Sequence, residues 1–145
     1  QLHYLDENIS LKRNIYETYE DAFKDIPEIT MNPIPEDCEA NYWLSAMTLS
    51  KDSKVMPMDI INALGDANIE SRPIWKPMHM QPIYRLNPFV VRDGNGRARS
   101  NAYIAGGVAD VGMDIFTRGL CLPSDNKMTA EQQDRIIEVI KACFE

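Results

Sequence analysis

The stretch ESRPIWKPMHMQP, residues 70–82, sets the strongest limit on how this chain folds, because it places three prolines within thirteen positions. Proline removes a backbone donor and fixes φ, so the segment forms neither a helix interior nor a central strand. It must run as turns or along an edge, with regular structure confined to either side. It nevertheless carries Trp75, two cations (Arg72 and Lys76) and His79, side chains for which a plain connector has no use.

The flanks are periodic. Leu2, Leu5, Ile9, Tyr16, Tyr19 and Phe23 recur at helical spacing and predict an amphipathic helix that ends near Asp25, before Pro27. Residues 26–41, IPEITMNPIPEDCEAN, read as a proline-marked loop, and Tyr42–Leu49 as a buried strand. After the polar turn Lys51–Lys54, Pro57 suits a first helical position, Met58, Ile61 and Leu64 supply an apolar face, and Asn68 suits the left-handed helix end. Ile69–Arg72 reads as a short strand. Phe89–Arg92 and Arg97–Ile104 flank Asp93–Gly96, a composition that favours a β-hairpin. Val108, Val111, Ile115 and Phe116 mark a further helix with Gly119 as its expected cap, and Leu120–Pro123 a brief strand. Thr129 and Gln132 form a capping box ahead of Ile136, Ile140, Cys143 and Phe144. These elements predict an α+β fold, a two-layer sandwich with a small, mainly antiparallel sheet and helices packed on one face.

Composition narrows the function. A chain of 145 residues with 44% hydrophobic and 26% charged residues has the balance of one globular domain. It has no apolar run of membrane-spanning length and no signal-peptide pattern. The opening QLHYLDEN is already in helical rhythm without an initiator methionine, as expected of a piece of a longer polypeptide. A net charge of −7 argues against nucleic acid as a partner. Residues 70–99 nevertheless hold six cations against two anions, a local +4 that leaves −11 for the rest. Such a segment is either a solvated basic loop or a site for a small anionic ligand. Cys38, Cys121 and Cys143 include no CxxC pair and read as reduced, mostly buried thiols of a cytoplasmic protein. His3 and His79 lack metal-ligand spacing, and Glu36-Asp37 reads as surface charge. No Walker loop, GxGxxG or GxSxG is present. The residues compose no complete active site, so the chain reads as part of an enzyme or as a binding module.

Three motifs in order carry a resemblance: ESRPIWKPMHMQP followed by Tyr84, RGLCLPS at Arg118–Ser124, and MTAEQQDRIIEVI at Met128–Ile140. Together they resemble the C-terminal part of the DegT/DnrJ/EryC1/StrS family, pyridoxal-phosphate-dependent sugar aminotransferases of the aspartate-aminotransferase fold. On that resemblance, residues 1–25 correspond to the long helix leading out of a large domain, and residues 26–145 to the small C-terminal domain.

The resemblance implies pyridoxal phosphate as cofactor, a keto sugar on a nucleoside diphosphate as substrate, glutamate as amino donor and a homodimer. It also implies that the cofactor's lysine, its pyridine-nitrogen aspartate and its phosphate binders lie in the large domain. No lysine here has that context, and Lys76 matches a substrate-side loop. The chain alone is therefore expected to be inactive, with no catalytic, cofactor or metal residues of its own. The substrate contacts implied are Arg72, Lys76 and His79, hydrogen-bonding diphosphate or sugar oxygens, and Trp75, packing on a base or sugar face. Their structural alternatives are a helix-end tie for Arg72, interdomain core for Trp75 and a backbone contact for His79. Between Tyr84 and Val108 the chain carries RLNPFVVRDGNGRARSNAYIAGG, longer than in many relatives. The rival class is a stand-alone α+β ligand-binding or interaction module without catalysis.

Overall fold

The computed structural model describes residues 2–84, 86–87 and 110–145. The chain divides into two compact units, residues 1–73 with 118–145, and residues 74–117. The predicted hairpin at 89–104 lies outside the described residues.

In the first unit, helix α1 (Leu5–Phe23) follows a 3₁₀ turn at Leu2–Tyr4. Asp6 and Glu7 in its first turn complement the helix dipole. Ile15, Tyr16, Tyr19 and Phe23 are buried, whereas Leu2 and Leu5, the start of the predicted stripe, are exposed. The core begins only at the third turn of the helix. Two long-range hydrogen bonds seat it there. Tyr19 Oη donates to the Pro123 carbonyl at 2.9 Å, and Gln133 Nε2 donates to the Ile15 carbonyl at 2.8 Å. A buried polar group without such a partner would cost free energy, so both bonds also fix position.

Strands β1 (Ile29–Met31), β2 (Ala46–Leu49), β3 (Arg72–Pro73) and β4 (Gly119–Cys121) form an antiparallel sheet in the order β1-β2-β4-β3. Met31 faces Met47, and Met47 faces Leu120. Side chains alternate along a strand, so Ile29, Met31, Met47, Leu49 and Leu120 share one face. Against that face gather buried residues of α1, α2 (Pro57–Asp66) and α4 (Ala130–Ala142). This is the α+β arrangement expected.

Local chemistry explains the helix ends. Pro57 opens α2, and Asp59 Oδ2 accepts from the Met56 amide at 2.8 Å. Asn68 takes φ +58° while the Ile69 amide reaches back to the Leu64 carbonyl at 2.8 Å, closing the helix as expected. Thr129 and Gln132 exchange the reciprocal bonds of a capping box at the start of α4.

Five expectations need correction. Residues 29–31 are an edge strand within the predicted loop, because Pro27 and Pro33 flank the three residues that pair with β2. Strand β2 starts at Ala46 rather than Tyr42. Tyr42 adopts φ +51°, the Asn41 side chain accepts from the Trp43 amide, and the Ser45 and Ala46 amides bond to Ser124 Oγ and Asn32 Oδ1. Gly119 caps no helix; it is buried and opens β4 directly. Of the thiols, Cys121 is buried and Cys143 half-buried, but Cys38 is exposed in the 32–45 connection. The strand predicted at Ile69–Arg72 shifts to Arg72–Pro73, an edge where Pro73 leaves no central ladder bond unmade.

Candidate functional site

The proline-rich segment begins in the edge strand β3 of the first unit. Arg72 lies on β3 with its guanidinium exposed, and donates from Nε and Nη2 to Glu70 Oε1 at 2.8 and 2.5 Å. The pair is 77% and 73% exposed, so it orients the guanidinium without contributing much stability. Arg72 ties down no helix end.

The rest of the segment belongs to the second unit and folds by local bonds. Pro77 is extended at φ −57° and ψ 147°, and single 3₁₀ turns follow at Met78–Met80 and Pro82–Tyr84. Met80 donates to the Pro77 carbonyl, Gln81 to Met78 and Tyr84 to Gln81. Trp75 and Lys76 are exposed. His79 is different. Its ring is only 20% exposed, and Nε2 lies 2.7 Å from Oδ2 of Asp110, whose side chain is wholly buried.

Asp110 stands immediately before α3 (Val111–Arg118). Its Oδ1 accepts from the Met113 amide at 2.9 Å, the bond of a helix N-cap. Gly112, in the first turn of α3, packs so close to the loop that a β-carbon there would lie 3.3 Å from Pro77 Cγ and 3.6 Å from His79 Cε1. The segment 77–79 is thus seated on the first turn of α3. Sequence reading did not single out Asp110. The available signal was its residue type, since aspartate just ahead of an apolar helical stripe is a favoured N-cap.

A concavity of about 570 Å³ lies in the first unit between α1 and the β1 region. Tyr16, Glu20, Met31 and Tyr42 line it. Tyr16 donates to the Asn32 carbonyl at 2.8 Å, and its ring meets that of Tyr42 at 5.5 Å, with Arg13 over the latter. Burial first and Glu20 second push the Tyr16 phenol up to about 12.

Lys12 donates to the Ser124 carbonyl, Lys24 pairs with Asp21 on the surface of α1, and Lys76 lies exposed on the turn segment. Lys24 lines the concavity beside α1, where Asp21 holds its ammonium. Among the described residues, no helix is long and apolar enough to cross a membrane.

The sequence profile of the DegT/DnrJ/EryC1/StrS aminotransferase family matches residues 1–141. The chain is 35% identical over 144 residues to EpsN of Bacillus subtilis (strain 168), itself proposed to be a pyridoxal phosphate-dependent aminotransferase, covering 99% of this chain and 33% of that one. It is 30% identical over 144 residues to a GDP-perosamine synthase of Vibrio cholerae, covering 99% and 35%. The structure of Helicobacter pylori PseC, an aminotransferase involved in the biosynthesis of pseudoaminic acid, superposes with a TM-score of 0.73 at 17% identity, covering 99% of this chain and 34% of PseC. At that identity the likeness speaks to the fold. The chain spans about a third of the length of the curated relatives it matches.

Proposed function

The chain belongs to the DegT/DnrJ/EryC1/StrS aminotransferase family, and on that premise we propose that it is the small C-terminal domain of a pyridoxal-phosphate-dependent sugar aminotransferase. The whole enzyme moves an amino group, with glutamate as donor, onto a keto sugar carried by a nucleoside diphosphate. The observation that carries this reading is the match of the family profile to nearly the entire chain. The GDP-perosamine synthases among its relatives support a nucleotide-linked sugar as the substrate. The whole enzyme is a cytoplasmic homodimer in this reading.

The cofactor, held elsewhere in the enzyme, supplies the electron sink and carries the amino group between the two half-reactions. This domain supplies substrate binding. Arg72 offers a planar fork suited to a diphosphate oxygen pair. Lys76 adds a second positive charge, and Trp75 an exposed ring suited to a base or sugar face. His79 contributes a ring nitrogen from an oriented imidazole. Prolines 73, 77 and 82 lower the freedom that the segment would otherwise lose on binding.

Two measurements test the reading. The reading frame upstream of Gln1 is expected to encode a large domain with the cofactor lysine; a start codon directly before Gln1 would favour the stand-alone binding module instead. The whole enzyme, loaded with pyridoxal phosphate, is expected to convert a nucleotide-linked keto sugar to its amino sugar in the presence of glutamate. Activity on free amino acids with no turnover of any nucleotide sugar would overturn the substrate assignment.

A further inference from the structure

Among the described residues, the Asp110 carboxylate serves two different partners. Oδ1 accepts from the Met113 amide and Oδ2 meets His79 Nε2, with the side chain wholly buried. The cap bond fixes the carboxylate's rotation, and so fixes the direction in which Oδ2 points. An ionised carboxylate only accepts hydrogen bonds, so the nitrogen 2.7 Å away carries a proton. That assigns the ring's donor edge to Asp110 and leaves Nδ1 as acceptor in the neutral ring or donor in the imidazolium. Gly112 completes the seat, since its missing β-carbon lets Pro77 and His79 approach the first turn of the helix.

We propose that Asp110 is a positioning residue for substrate binding: it holds the imidazole of His79, in orientation and in proton placement, on the N-terminal turn of α3. This rests on the reading that His79 contacts the sugar nucleotide. Its physical content is preorganisation. A histidine on a 3₁₀ turn closed by local bonds samples several rotamers, and ordering it on binding costs affinity. Anchoring the ring to a capped helix removes that cost in advance.

The test exploits a property of the cap. In Asp110→Asn the Met113 amide still requires an acceptor, so the carboxamide oxygen takes the cap position and its NH₂ faces the ring. Asparagine caps as well as aspartate does. The helix end is kept while the hydrogen bond to Nε2 is reversed, which forces the neutral ring to carry its proton on Nδ1. In the whole enzyme, Asp110→Asn is expected to weaken sugar-nucleotide binding about tenfold, the order of a lost charge-assisted bond. The glutamate half-reaction and the melting temperature should be nearly unchanged. In a His79→Ala background, Asp110→Asn should add nothing.

Three results would overturn the proposal. Unchanged sugar-nucleotide affinity in Asp110→Asn, with a weakened His79→Ala, would leave His79 as a contact but remove Asp110 from its control. An equal loss from Asp110→Asn with and without His79, accompanied by a lower melting temperature, would reduce Asp110 to a helix cap. Unchanged affinity in well-folded His79→Ala would end the reading of His79 itself, and the proposal with it. Asp110→Ser, which caps the helix but is too short to reach the ring, provides a second variant should the asparagine enzyme not fold; it is expected to show the same selective loss.

Discussion

The two units hold their polar side chains by different means. In the first, contacts join residues distant in sequence: Tyr19 to Pro123, Gln133 to Ile15, Ser45 to Ser124. In the second, the backbone closes on itself within three residues, and the buried carboxylate of Asp110 anchors the histidine. The first arrangement couples each polar group to burial of the core. The second leaves Trp75, Lys76 and Ile83 exposed around one fixed point. Changes in the core of the first unit should therefore act on stability, and changes on the proline-rich segment, Arg72 included, on binding.

The largest expected effect sharpens that contrast. Tyr19→Ala removes a fully buried ring and its bond to Pro123, and should cost about 3–5 kcal/mol in denaturant unfolding. Trp75→Ala, also a loss of an aromatic ring but from a position 63% exposed, should stay within about 0.5 kcal/mol. Equal costs for the two would break the comparison.

Next in size is Arg72→Ala in the whole enzyme. It should lower sugar-nucleotide affinity about ten- to a hundredfold, at roughly 1.4 kcal/mol per decade. The glutamate half-reaction should be spared, because glutamate carries no diphosphate. The exposed Glu70 pair is worth little, so the unfolding midpoint should hold. Parallel losses in stability and both half-reactions would make Arg72 a structural residue.

A smaller loss is expected from Thr129→Ala, which removes the acceptor for the Gln132 amide. Capping residues contribute about 1 kcal/mol, to be read as a shift of the unfolding midpoint with unchanged slope.

The last effect is pH-linked and belongs to the Tyr16 phenol, whose ionisation lowers stability only in alkali. Its folded phenol is raised to about 12, while an exposed tyrosine ionises near about 10. The stabilising contribution is complete below pH 10 and is lost as pH rises toward 12, because the unfolded chain ionises first. Stability measured from pH 9 to 12 should fall, and Tyr16→Phe should make the fall shallower. An unaltered slope would show that Tyr16 is not a group driving it.

Of the candidate site, the sequence showed the kinds of residue and not their partners. Arg72, Trp75, Lys76 and His79 were visible as costly side chains on a segment too rich in proline for regular structure. Asp110 was not, since its role depends on a histidine thirty-one residues earlier. No spacing rule connects residues that meet only when a loop lies on a helix.

The sequence by itself determined the elements whose causes are local. The stripe of α1, the capping box of α4 and the left-handed Asn68 all follow from side chains within a turn or two of one another. The proline pattern determined, likewise, that residues 74–82 would form neither a helix interior nor a central strand. Only the tertiary structure decided where strands begin and end. Ile29–Met31 became a strand because β2 lay beside it, and Tyr42–Ser45 did not because its backbone donors found side chains instead. Strand bounds are set by partners that arrive from elsewhere in the chain, and so is the pairing of His79 with Asp110.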